Sequence, residues 1–128
     1  MRYLIKARLK EQKKKALLKA IDEQTLGYGS IAYPTFTKCM KSARILDNGE
    51  IHWIEVCYCR EAFGPGNELI EELPYWEEYF KNIKIKMARD PNKCDGYPVC
   101  GDCDCTNKLE RKLSYKGKHF LSRLRNTF

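Results

Sequence analysis

The first residues of the chain alternate between apolar and other side chains with a period of two. The apolar face consists of Tyr3, Ile5, Ala7 and Leu9, and the opposite face consists of Leu4, Lys6 and Arg8. This alternation predicts a β-strand with one buried face. Over residues 11–24 the period changes, and Leu17, Leu18 and Ile21 share one helical stripe. That stripe predicts an amphipathic helix after the first strand.

The strongest local signal is a β-hairpin around Asp47-Asn48-Gly49. An apolar run precedes this tripeptide, and a β-rich run from Glu50 to Cys59 follows it. Asn-Gly between two such runs indicates a tight turn, because both residues tolerate a positive φ. Both faces of the second run are mostly apolar, which predicts a strand in the middle of a sheet with cover on both sides. A short helix is predicted before the hairpin, over residues 36–42.

A second helix and a last strand follow the loop at Gly64-Pro65-Gly66. Proline fits the first turn of a helix, so the helix is predicted in two pieces divided at Leu73-Pro74. Trp76 and Phe80 are predicted to face inward. A strand is predicted where Ile83, Ile85 and Met87 alternate with lysines, and Asp90-Pro91-Asn92 ends it.

The order of these elements is strand, helix, two hairpin strands, helix and strand. This βαββαβ order is that of the ferredoxin-like split unit, and the chain resembles dimeric α+β-barrel proteins in topology. We therefore predict an α+β protein with a ferredoxin-like domain in residues 1–89 and a cysteine-rich, basic C-terminal extension, residues 90–128, packed on it. The resemblance implies a second sheet face, covered by the tail, a homodimer partner or a nucleic acid. The lysines and arginine expected on that face are Lys6, Arg8, Lys84 and Lys86.

Length and composition set the broad class. The 128 residues suit one domain, and the net charge is +7, concentrated in the last part of the chain. No apolar run approaches the roughly 18 residues that span a membrane, and charges interrupt any signal-peptide core. We therefore predict a cytoplasmic protein with no membrane partner. Thiols stay reduced in that compartment, so clustered cysteines there more often bind metal than form disulfides.

Four of the seven cysteines lie within residues 94–105. They are Cys94, Cys100, Cys103 and Cys105, with the spacing C-x5-C-x2-C-x-C. Four thiolates suit the tetrahedral coordination of zinc, and a C-x2-C turn directs two of them at one ion. Cys57 and Cys59 are two residues apart on a predicted strand, so both point to one side and could replace some of the four. Zinc is therefore the predicted cofactor, with these six cysteines as candidate ligands.

Other uses of the cysteines stay open. An iron–sulfur cluster also takes four thiolates, but the spacing matches neither common ferredoxin pattern, so zinc is favoured. A thiol-redox reaction is weakened by Asp102 inside the C-x2-C motif, because a nearby carboxylate disfavours the thiolate. Cys39 stands alone and is predicted to lie in the core.

The sequence indicates no acid–base pair for catalysis. His52 lies on a strand and is predicted to be structural, and His119 is predicted to be solvated. The acidic residues of the second helix are interpreted as its solvent-exposed face: Glu71, Glu72, Glu77 and Glu78. The leading hypothesis is thus a non-catalytic zinc protein of otherwise undefined role, with a thiol-redox or metal-dependent enzyme as one alternative.

The second alternative is a basic nucleic-acid-binding module. Cations alternate with Tyr115 and Phe120 in the tail, and such residues contact phosphates and bases. Against this hypothesis, Leu113, Leu121 and Leu124 indicate an amphipathic segment docked on the domain. The strand from Glu50 to Cys59 also lacks the glycine and aromatic signature of RNA-binding plaits.

Overall fold

The computed structural model describes residues 2–30, 32–56, 67–87 and 110–126. Five strands lie in these ranges: β1 (Arg2–Leu9), β2 (Arg44–Ile45), β3 (Ile51–Val56), β4 (Phe80–Met87) and β5 (Lys118–His119). The helices are α1 (Lys14–Asp22), α2 (Tyr33–Ser42), α3 (Asn67–Glu77) and α4 (Phe120–Asn126), with a 3-10 turn at Glu11–Lys13. Residues 110–114 are also helical. The protein is therefore of the α+β class.

The five strands form one sheet in the order β4-β1-β3-β2-β5, and every neighbouring pair is antiparallel. In β1, Ile5 pairs with Trp53 of β3 and Lys6 pairs with His52, which fixes which side chains share a face. The predicted alternation of β1 is confirmed, since Tyr3, Ile5 and Ala7 are all buried. The predicted hairpin is also confirmed, because β2 pairs with β3 and Gly49 has a φ of +86°.

The helices pack on one face of the sheet, which we call the core face. Leu17 and Ile21 of α1 are buried there, as the helical stripe predicts. From α2, Phe36, Cys39 and Met40 join the same cluster, so the prediction of Cys39 as a core residue is confirmed. The loop between α1 and α2 passes so close to Phe36 that a Cβ on Gly27 would collide with the ring, and Gly27 has a φ of +74°. Only glycine meets both constraints without strain.

Two of the predicted boundaries are wrong. Helix α3 is continuous, and Pro74 lies inside it instead of starting a second piece. Proline there removes one backbone hydrogen bond, but the helix ends three residues later and Trp76 anchors its last turn in the core. Strand β4 begins at Phe80, before the predicted start at Ile83. A register shift against β1 and a φ of +54° at Asn82 indicate a β-bulge, which interrupts the alternation on which the prediction was based.

The C-terminal residues belong to the same sheet and core. β5 pairs with β2 at the sheet edge, and Phe120 and Leu124 of α4 are buried in the core cluster. Burial of Leu113 and Leu124 confirms that this part of the chain docks through its leucines. Arg125 donates to Asp22 of α1 through two hydrogen bonds of 2.6 and 3.1 Å, which hold the pKa of Asp22 below its ordinary value. The division of the chain at residue 89 stays a prediction.

Candidate functional site

Four aromatic rings fill the centre of the core between the sheet and helices α2 and α3. Trp76 stacks on Phe36 at 4.5 Å between ring centroids and lies 4.8 Å from the ring of Trp53. Phe80 closes the group at 5.0 Å from Trp53. Such tilted and offset contacts are the favoured arrangements of aromatic rings. At most 3% of the surface of any of these four residues is exposed, so this cluster is a dry part of the molecule.

Glu55 of β3 enters this dry region from the sheet. It pairs across the ladder with Tyr3, so its side chain lies on the core face, and only 1% of its surface is exposed. The indole Nε1 of Trp53 donates to Oε1 of Glu55 at 2.9 Å. Strand period explains this contact, because residues two apart on a strand share a face.

Glu72 of α3 is the second buried carboxylate, also 1% exposed. The interpretation of Glu72 as part of a solvent-exposed helix face is therefore wrong. Residues four apart lie on the same side of a helix, and Trp76, four residues later, is in the core. The predicted inward position of Trp76 was therefore a sequence signal from which the burial of Glu72 could have been predicted. Its neighbour Glu71 is half-buried and accepts a hydrogen bond from Ser30 at 2.5 Å.

Cys39 of α2 lies next to both carboxylates. Its thiol donates to the backbone oxygen of Ile54 at 3.6 Å. Burial is the main reason that the pKa of Cys39 lies well above its ordinary value, and the charges of Glu55 and Glu72 raise the pKa further. Both causes favour the protonated thiol, and thiolates are the reactive and metal-binding form of cysteine. Cys39 is therefore a buried thiol that these surroundings hold in its protonated form.

A different polar group lies on the opposite face of the sheet, which we call the second face. His52 is buried between Lys6 of β1 and Arg44 of β2, its two cross-strand neighbours. Its Nε2 lies 2.6 Å from Oε1 of Glu50, and this hydrogen bond is the main cause that lowers the pKa of Glu50. The predicted structural role of His52 agrees with this burial and pairing. The predicted exposure of His119 is confirmed, although His119 lies on β5.

The six predicted zinc ligands all lie outside the described residues. They are Cys57, Cys59, Cys94, Cys100, Cys103 and Cys105. Within the ranges that are described, no three histidine, cysteine, aspartate or glutamate side chains form a set that could hold a metal ion. Glu55, Glu72 and Cys39 are therefore a buried polar cluster that ends two residues before Cys57, and not a metal site by themselves.

Comparison with protein-family models, with curated proteins and with solved structures finds no match to this chain. Within the described ranges, none of the helices has the length and apolar character needed to cross a membrane.

Proposed function

We propose that this protein is a non-catalytic zinc-binding protein in which the metal fastens the segment between β4 and β5 onto a ferredoxin-like sheet. The ligands are Cys94, Cys100, Cys103 and Cys105, and Cys57 or Cys59 replaces one or more of them if the segment folds back to the end of β3. In a compartment that keeps thiols reduced, zinc gives such a cysteine-rich segment a fixed shape.

One observation carries this proposal: β4 and β5 lie at opposite edges of the sheet. The chain leaves the sheet at Met87 and re-enters it at Lys118, so the intervening residues must connect the two edges. Four inter-strand spacings of about 4.8 Å make this a distance of about 19 Å. The four clustered cysteines all belong to this connection.

The second face is the expected route of the connection. Helices pack on the core face, whereas His52 and Ile54 are buried although they lie on the second face. Leu113, in the helical residues just before β5, is also buried outside the core cluster. The apolar pattern of β3 predicts that both of its faces are buried. A connection that crosses the second face would cover the face that the helices leave open.

Metal binding would explain how such a connection becomes ordered. Residues 90–109 show neither helical nor strand periodicity and contain few large apolar side chains. Connections longer than about 12–15 residues without secondary structure are uncommon in compact domains, and fixing each residue costs free energy. The free energy of zinc binding offsets this cost, because the ligands come together only in the folded state.

The ferredoxin-like fold is part of the same proposal. The sheet order β4-β1-β3-β2 and the helices between β1 and β2 and between β3 and β4 support a split βαβ unit. β5 would then be an addition at the β2 edge.

The test is the metal content of the full chain, purified under reducing conditions without chelator and measured by plasma mass spectrometry. We expect about one zinc per chain, as for a four-cysteine site. Replacing Cys100 and Cys103 by serine should abolish zinc binding and lower the melting temperature. Cys39→Ala is the matched control, because Cys39 is a buried thiol that the proposal leaves out of the site.

Three results would contradict the proposal. A metal-free protein whose thiols are all titratable would exclude any metal site. Protein isolated with disulfides among these cysteines would favour thiol-redox chemistry. Iron with visible absorption would favour an iron–sulfur cluster over zinc.

A second candidate function, binding of nucleic acid, is favoured by three lysines on the second face. Lys6 pairs directly across the ladder with Lys84, and Lys86 lies two residues further along β4. Like charges at directly opposed positions repel. Glu50 is the carboxylate beside them, since Lys6 and Lys84 both help to lower its pKa, and its single negative charge offsets only part of the repulsion among three lysines. Phosphates would relieve the repulsion, whereas a second copy of this face would increase it. A polyanion therefore fits this face better than the second copy of the chain in the predicted homodimer. The ring of Phe120 cannot stack on a base, because it is packed in the core.

The nucleic-acid hypothesis predicts salt-dependent binding of a labelled mixed-sequence RNA, followed by fluorescence anisotropy. Exchanging Lys84 and Lys86 for glutamine should weaken binding and reduce its salt dependence, because phosphate contacts release counterions. The matched control exchanges Lys15 and Lys19, two exposed lysines of α1. If both double variants weaken RNA binding equally, only the net charge of the protein matters. If the wild type does not bind RNA at low salt, the nucleic-acid hypothesis is excluded.

A further inference from the structure

We propose that a cleft at one end of the sheet binds a small organic anion, with a phosphate or carboxylate head and an apolar body. The cleft has a volume of about 340 Å³ and lies where the β2–β3 hairpin, the end of β1, the start of β4 and helix α4 meet. This volume is within the range of small-molecule sites, roughly 300–1,000 Å³. All the residues described as lining the cleft lie outside the cysteine-bearing segment.

The floor of the cleft is apolar and belongs to the core. It consists of Leu9, Ile45, Ile51, Phe120 and Leu124. Phe120 and Leu124 come from α4 and Ile51 from β3, so the floor exists only because α4 packs against the sheet. A ligand with an aromatic or aliphatic body would bury its apolar surface there, which favours binding in proportion to the area removed from water.

The rim of the cleft is positively charged. Four cations, Arg8, Lys14, Lys81 and Arg123, line it, with Glu11 as the accompanying carboxylate. Nζ of Lys14 forms an ion pair with Oε2 of Glu11 at 2.8 Å, so these two side chains together carry no net charge. Within the described part of the chain, neither Lys81 nor Arg123 forms an ion pair. The rim therefore presents three uncompensated positive charges.

Arg8 is held in position at this rim. Its Nη1 donates to the backbone oxygen of Asn48 at 2.8 Å, and a Cβ on Gly49 would lie 3.2 Å from the same nitrogen. The hairpin glycine thus allows the guanidinium to lie against the turn, and among the described residues its other N–H groups have no hydrogen-bond acceptor. Arg8 also pairs across the ladder with Lys81, which brings two cations together. Because a guanidinium forms paired hydrogen bonds with planar oxyanions, this arrangement suits a carboxylate or phosphate head.

The test follows backbone amide shifts of the full chain by NMR as phenyl phosphate is added. We expect saturable shifts confined to residues that line the cleft. Inorganic phosphate and phenol each supply one half of the ligand and should bind at least about tenfold more weakly, since each loses one class of contact. Phenylacetate distinguishes a carboxylate head from a phosphate head.

The variant for this test exchanges both Lys81 and Arg123 for glutamine. Both side chains are exposed, so the fold should be unchanged, and binding of phenyl phosphate should weaken by about tenfold or more. The control exchanges Arg111 and Lys112, an exposed pair outside the cleft. Equal binding of inorganic phosphate and phenyl phosphate, an equal loss in the control, or shifts spread over the whole surface would each overturn the proposal.

Discussion

Replacing Trp76 with alanine should cost about 4 kcal/mol of the free energy of unfolding, because it empties the centre of the aromatic cluster. Trp76 is buried against Phe36, Trp53 and Phe80, with ring centroids 4.5, 4.8 and 6.0 Å away. A domain of this kind has a total stability of roughly 5–15 kcal/mol, so the loss is a large part of it. The melting temperature should fall by roughly 12 °C.

Urea unfolding of the wild type and the variant measures this loss, and Tyr115→Ala is the matched control. Tyr115 is 84% exposed, so its truncation should change stability by less than about 0.5 kcal/mol. Trp76→Phe separates ring volume from polarity. Nε1 of Trp76 has no hydrogen-bond partner in the described part of the chain. Trp76→Phe therefore loses packing contacts but no hydrogen bond, and it should lower the free energy of unfolding by less than Trp76→Ala. Equal stabilities of Trp76→Ala and Tyr115→Ala would contradict the packing of this core.

The elements predicted correctly are those in which a single local pattern determines the structure. β1 has an alternation that can be recognised without its partner strands, and Gly49 in the hairpin turn has a positive φ that few residues other than glycine adopt. The helix stripe of Leu17 and Ile21 is of the same kind. In each case the local pattern agrees with the packing of the fold, and agreement between these levels makes a prediction reliable.

The errors occur where a tertiary contact overrides the local signal. Pro74 normally marks a helix start, yet burial of Trp76 continues α3 beyond it. Glutamate is usually a surface residue, and the only sequence signal for the burial of Glu72 is its position four residues before Trp76. The bulge at Asn82 has no periodic signature. β5 contains two residues and is defined by its pairing with β2, so no window of the sequence could identify it.

The candidate site was accessible to sequence reasoning only in part. The spacing of Cys94, Cys100, Cys103 and Cys105 suggests a metal, but spacing alone cannot show that the two flanking strands lie at opposite sheet edges. The cleft was not predicted at all. Arg8, Lys81 and Arg123 are far apart in the chain and become neighbours only through the sheet register and the docking of α4.

Phe120→Ala tests that docking and should cost about 3–4 kcal/mol, because it removes a fully buried ring. Phe120 is 2% exposed and lies 6.1 Å from Phe80 between ring centroids. The backbone N–H of Phe120 donates to the oxygen of Ala43 at 3.0 Å, and alanine keeps that hydrogen bond. The measured loss therefore reports the side chain alone.

Thermal and urea unfolding of the full chain provide the measurement, and His119→Ala is the control from the adjacent, exposed position of β5. We expect His119→Ala to unfold like the wild type and Phe120→Ala to unfold in one transition at a lower urea concentration. A single transition follows because Phe120 and Leu124 belong to the same cluster as β1, β3 and α2, so the C-terminal helix cannot detach while the core stays packed. A loss below about 1 kcal/mol, or a first transition that leaves the fluorescence of Trp53 and Trp76 unchanged, would mean that α4 is a peripheral segment and not part of this core.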